Sequence, residues 1–246
     1  LSDLSRERTR TIIEKVAASS GAPGSEAQKV GDFFASFMDE AAIEAKGIAP
    51  LKPELDAIAA IQTKADLAEA LGRNLRLGVG GPIGMGVGPD RKNPDRFVVQ
   101  GGQDGLGLPD RDYYLDDKNP AFVAARAKYK DYVATILGLA GYDNAKARAE
   151  AIFALETEIA KVHWTRVERR QAEKTYNPVP VADMGTRFPG VDWSRFIAGT
   201  TIPVQGDVII STPSSLEGIA RIIGATDLAV LKDYLAFQTI RDAAPV

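Results

Sequence analysis

No cysteine occurs anywhere in the 246 residues. Disulfides, thiolate zinc sites, iron–sulfur clusters and cysteine nucleophiles are therefore excluded. A chain of this length buries a sizeable core without covalent staples, so the absence marks no compartment. Histidine is almost as scarce, with His163 the sole imidazole. A zinc site with two or three imidazole ligands cannot be built from this chain alone. Basic residues are not in excess either. Lys and Arg number 30 against 33 Asp and Glu, a net charge of −3. A nucleic-acid binder needs a basic face to neutralise phosphates, and this balance argues against one. No run approaches the roughly 18 to 20 uninterrupted apolar residues of a transmembrane helix.

What is present is helical patterning. Ser25 followed by Gln28 makes a capping-box pair, and Val30, Phe33, Phe34, Phe37, Met38 and Ala41 recur at three and four, one apolar face expected to be buried. Gly47 and Pro50 supply the stop. Thr63 opens a second helix with Leu67, Leu71 and Leu75, ended by Gly78. Asn119 and Pro120 start a third, which Gly141 closes. Asp143 starts a long one bearing Ile152, Leu155, Ile159 and Val162, expected to run to about Gln171. Thr212 and Pro213 open another, and Thr226 the last, with Leu228, Leu231 and Leu235. Between these lies a glycine-rich stretch, residues 78–107, read as a hairpin over about 83–101 with a polar tip at 89–95. Residues 207–211 read as a lone strand. The fold class is mostly α, a multi-helix lobe with a small β-hairpin and little other strand.

A P-loop needs lysine and a hydroxyl after its last glycine, whereas Gly88 precedes Pro89 and Asp90. A dinucleotide fingerprint must open a helix, and this stretch opens a strand. His163 has Ile159, Ala160, Arg166 and Val167 one helical turn away, none a carboxylate, so it reads as a histidine bonded to backbone or solvent. Arg166, Arg169 and Arg170 are balanced by Glu156, Glu158, Glu168 and Glu173, which reads as a solvated or interdomain ion-pair face. The acidic stretch 104–117 lacks the spacing of a calcium loop. On the residues alone no catalytic group and no metal ligand is assigned.

One segment is specific. Gly105-Leu106-Gly107-Leu108-Pro109-Asp110-Arg111-Asp112-Tyr113-Tyr114-Leu115 resembles the Gly-Leu-Gly-Leu-Pro-x-Arg-Asp-Tyr-Tyr run of the neprilysin family of zinc metallopeptidases, which includes the endothelin-converting enzymes. Three further pieces agree in order and spacing. Residues 34–51, with Met38-Asp39-Glu40 and Lys46-Gly47, resemble the family's early helix and its exit. Val87-Gly88-Pro89-Asp90-Arg91-Lys92-Asn93 is similar to the hairpin before the run. Trp164, Arg169, Arg170 and Lys174-Thr175-Tyr176-Asn177-Pro178 match a later stretch.

The resemblance covers nearly all of the chain and is to the family's N-terminal portion. It implies that residues 1–246 form the N-terminal helical lobe of a larger two-lobed zinc endopeptidase that hydrolyses small peptides. The zinc site, a His-Glu-x-x-His helix plus a later glutamate, belongs to the family's C-terminal portion and is absent here. In the intact enzyme, zinc-activated water would attack the peptide carbonyl with glutamate as base. This lobe would supply cavity wall and contacts to its own C-terminal catalytic lobe, with Arg111, Asp112 and Tyr113 as the candidate substrate or interlobe contacts. Where vertebrate members carry an arginine that reads a substrate's terminal carboxylate, the matching position is Ala35. The lack of cysteine resembles a bacterial member, and an exported location is expected.

The chain opens at Leu1 without an initiator methionine or leader pattern, and residues 241–246 continue an apolar helical pattern, so a piece of a longer protein is expected. Such a piece should expose apolar surface at the hairpin and around Leu231 and Leu235. Two other readings stand beside this one: a non-catalytic helical interaction module related to the family, and, with least support, a stand-alone hydrolase using His163. A downstream His-Glu-x-x-His helix separates the first two.

Overall fold

Helix-start chemistry accounts for the first elements. The computed structural model describes residues 2–19 and 21–243, so residues 244–246 of the expected continuation lie outside the described residues. Two units partition the chain, Leu1–Pro50 and Leu51–Val246. The first carries α1 (Ser2–Ala17), α2 (Glu26–Met38) and α3 (Glu40–Lys46). The Ser25 hydroxyl accepts the Gln28 amide at 3.2 Å, while the Gln28 side chain reaches back to Gly24 N–H, a capping box displaced by one residue. Asp39 caps α3 through Ala42 N–H at 3.0 Å, so a new helix starts where the apolar series suggested continuation to Ala41.

The expected burial of α2 is overturned: none of its residues is buried, and Phe33 and Phe37 are 73% and 61% exposed. The three-and-four spacing is present, yet so few residues in this unit cannot enclose a full apolar face. The highly charged α1 carries no clean apolar period.

The second unit holds α4 (Lys52–Ala59), α5 (Lys64–Arg76), β1 (Ile83–Asp90), β2 (Asn93–Gln103), α6 (Asp112–Leu115), α7 (Pro120–Leu139) and α8 (Ala145–Val162). There follow β3 (Asn177–Pro180), α9 (Met184–Arg187), α10 (Trp193–Thr200), β4 (Asp207–Ile210), α11 (Pro213–Ala225) and α12 (Leu228–Ala243). Helix α5 opens on a full capping box between Thr63 and Asp66. It closes on Gly78 at φ 77°, with Val79 N–H on Asn74 C=O and Gly78 N–H on Leu75 C=O. That double return satisfies two orphan carbonyls and requires a left-handed residue, hence glycine.

Two readings of this unit are corrected. The long helix stops at Val162, nine residues before Gln171. There Thr165 and Glu168 form a second capping pair, Glu168 taking both the amide and hydroxyl of Thr165, and this starts a new turn. The hairpin and the supposed lone strand belong to one four-stranded sheet of order β1-β2-β4-β3. Strand β2 pairs antiparallel with β1 and parallel with β4 through Val99–Val208, Gln100–Ile209 and Gly101–Ile210. Strand β3 tolerates Pro178 and Pro180 because it is an edge. The mostly α class stands, with twelve α-helices among the described residues.

The core of this unit is drawn from Val133, Ile152, Ile159, Phe196, Leu216 and Phe237, each with no exposed surface. Leu231 and Leu235 join it at 3% and 0% exposure, so the expectation that this part of the last helix would be bare is wrong. Exposed apolar side chains sit at the hairpin instead, where Val87 and Phe97 face solvent.

Candidate functional site

The run 105–115 packs against α7, α8 and α12, and two glycines allow it to lie close. Gly105 has φ 95°, and its carbonyl accepts the Tyr234 hydroxyl at 2.8 Å. A Cβ on Gly107 would stand 1.8 Å from the Tyr129 hydroxyl, so only glycine fits. Beneath the run lies Glu156 of α8, fully buried. Its carboxylate accepts the hydroxyls of Tyr114 at 2.8 Å and Tyr129 at 2.9 Å. Tyr114 in turn accepts the Leu108 amide at 2.9 Å.

Burial pushes Glu156 up to about 7, against the opposing pull of the two tyrosine hydrogen bonds and of Arg241. Burial likewise raises Tyr114, Tyr129 and Tyr234, which stay neutral donors. A carboxylate and three phenols thus tie α6, α7, α8 and α12 to the run. The expectation of a solvated or interdomain ion-pair face fails at Glu156, which is buried and bonded to two phenols. Periodicity held the signal: residue 156 is four after Ile152 and three before Ile159, on the apolar stripe.

At the end of α8, His163 is buried and its Nε2–H donates to the Asp104 carbonyl at 3.2 Å. Burial lowers its pKa to about 4, so the ring is neutral near pH 7. This matches the backbone-bonded reading of that histidine. Beside it, the Gln103 side chain receives Trp164 N–H at 2.7 Å and donates to Trp164 C=O at 3.2 Å, copying a strand pairing. Arg166 pairs with Asp110. A recess of about 130 Å³ remains between residues 103–111 and His163, Trp164 and Arg169.

The hairpin tip forms a second cluster. Asp90 is buried and accepts from Lys92 N–H, Arg96 and the Tyr176 hydroxyl, and these bonds, the Lys92 amide foremost, lower its pKa. Arg91 donates to Thr175, and the Lys92 ammonium lies 4.2 Å from the Tyr176 ring centroid. The polar tip is therefore anchored inward at Asp90. Separated motifs meet in space: residues 87–93 on 174–177, and residues 104–115 on 163–169.

Of the three candidate contact residues, Asp112 is exposed, Tyr113 stacks on Phe122 with centroids 4.1 Å apart, and Arg111 is half-buried with Nε enclosed and unpartnered. Arg111 borders the recess, whereas Asp112 and Tyr113 do not. Among the described residues no three His, Asp or Glu side chains converge as metal ligands, and the one imidazole is spent on a carbonyl. These residues do not fit a catalytic zinc.

The model of Peptidase family M13 matches residues 1–246. Endothelin-converting enzyme 1 of Rattus norvegicus is 26% identical over 96% of this chain and 32% of its own length. The crystal structure of the Mycobacterium tuberculosis zinc metalloprotease ZMP1 in complex with inhibitor is 32% identical, covers 97% of this chain and 37% of that one, and superposes with a TM-score of 0.88. PepO from Lactobacillus rhamnosis, 17% identical, covers 98% of this chain and 38% of that one at a TM-score of 0.77, a likeness of fold alone. The chain thus spans about a third of the length of such relatives.

Proposed function

This chain belongs to peptidase family M13, a family of zinc metallopeptidases, and on that premise we propose that it is the N-terminal lobe of a zinc endopeptidase for small peptides. Its role is to wall the cavity and to bind its own C-terminal catalytic lobe. One observation carries the reading: the family match runs the whole length of a chain whose single histidine is buried and bonded to a carbonyl. The hydrolytic groups and the zinc therefore come from elsewhere in the protein.

Two surfaces suit the contact role. Phe33, Phe37 and Met38 on α2 are apolar and exposed, the kind of patch that marks a missing partner. Arg111, Asp112 and Tyr113 offer charge and an aromatic ring at the end of the glycine-rich run. The same reading carries an exported location in a bacterium, which fractionation of the source cell tests. No described helix is long and apolar enough to cross a membrane.

Co-expression with the downstream part of its own gene tests the assignment. The two parts should co-purify and cleave a short quenched peptide that neither cleaves alone, and Phe33→Asp with Phe37→Asp should weaken the association. Failure of the parts to associate, with no His-Glu-x-x-His helix downstream, would favour the non-catalytic interaction module.

A further inference from the structure

We propose that the recess between residues 103–111 and 163–169 is a carboxylate-binding site whose cations are Arg111 and Arg169. Half-buried Arg111 and exposed Arg169 both line the recess, and neither has an ion-pair or side-chain hydrogen-bond partner among the described residues. Arg111 Nε is enclosed with no acceptor, while its two terminal nitrogens, also without a partner among the described residues, are the ones open to a ligand. The neighbouring acids have partners other than these two arginines. Asp110 pairs with Arg166, Asp104 accepts the Gly105 amide, and Glu168 accepts from Thr165. The Gln103 amide is held by the Trp164 backbone. His163, its Nε2–H turned to Asp104 C=O, leaves the two arginines as the charged donors without acceptors.

Size narrows the ligand. At about 130 Å³ the recess has room for a carboxylate and its nearest atoms. Planar guanidinium groups match a carboxylate's paired oxygens. The carboxylate has two possible sources, the end or side chain of a bound peptide and an acidic side chain from the rest of the protein. The inference sharpens the contact role of Arg111 given above, yet its first test needs only this chain and so fails or succeeds apart from the lobe assignment.

The probe is acetate, titrated at constant ionic strength against sodium chloride while the arginine Nε–H resonances are followed by NMR. Arg111→Gln identifies the Arg111 signal by its loss. That signal should shift saturably with acetate, about 10-fold more weakly in Arg169→Gln, and as in the native chain in Arg170→Gln, an exposed arginine outside the recess. Thermal melts of each variant by circular dichroism establish that it is folded. An Arg111 signal that ignores acetate, or that responds equally in Arg169→Gln, overturns the proposal. Repeating the titration on the longer protein identifies the source. A site still open there takes a ligand's carboxylate, and a site closed to acetate only there takes a side chain of the later segment.

Discussion

Glu156 is buried away from solvent, and burial pushes its pKa up to about 7, above the ordinary 4.5. A carboxyl raised on folding contributes stability that is fully present below about pH 4.5 and is lost as pH rises through about 7. His163 has the opposite sense. Its folded pKa of about 4 lies below the ordinary 6.5, so its contribution is present above pH 6.5 and lost as pH falls through about 4. Each shift corresponds to about 3 kcal/mol. Between about pH 4.5 and 6.5 the two slopes oppose, and the native chain should be nearly flat. Glu156→Gln, which keeps the shape and removes the titration, should make stability climb with pH across that window. His163→Gln should make it fall towards pH 7. Urea melts at about pH 4.5, 5.5, 6.5 and 7.5 separate the cases, and two variants with the native profile would contradict the buried hub. Both residues were visible in the sequence, but only periodicity hinted at the burial of Glu156, and nothing local linked it to Tyr114 and Tyr129.

At the scale of elements, α5 and α10 cross backbone to backbone. A Cβ on Gly72 would stand 2.0 Å from Phe196 O, and one on Gly199 would stand 2.2 Å from Glu69 O. Gly72→Ala gains about 1 kcal/mol in helix propensity yet should lose more through overpacking, a net cost of about 1–3 kcal/mol. Gly31→Ala in α2 meets only ordinary contacts, the nearest at 3.6 Å, and should be neutral or stabilising. Thermal melts of the pair decide it, and a stabilised Gly72→Ala would mean that the helices are not so close. Along α2, Ser25→Ala should cost about 0.5–2 kcal/mol through its lost cap. Phe37→Ala should cost within about 0.5 kcal/mol, because the ring is exposed. Urea melts that reversed this order would restore the buried face. Caps at Ser25, Thr63 and Asn119 and the stops at Gly78 and Gly141 were legible because they act within one turn. The pairing of β4 with β2 and the break after Val162 were harder, since one is a long-range contact and the other rests on a capping pair hidden in a charged stretch.

For the whole molecule, the family was legible in a few short runs, and the fold explains why those runs hold together. The Gly-Leu-Gly-Leu-Pro run fits only over Tyr129 and Tyr234, and the hairpin tip fits only against Thr175 and Tyr176. Where apolar surface stays bare was not legible, because burial depends on what the rest of the chain covers. Leu235 closes the core while Phe33 does not. The central claim is that this chain shapes a peptidase without holding its chemistry. Its most direct test is the zinc content of the purified chain after dialysis, measured alongside cleavage of a quenched peptide. The account predicts zinc far below one equivalent and no cleavage. One tightly held equivalent of zinc, with cleavage abolished by a chelator, would contradict it.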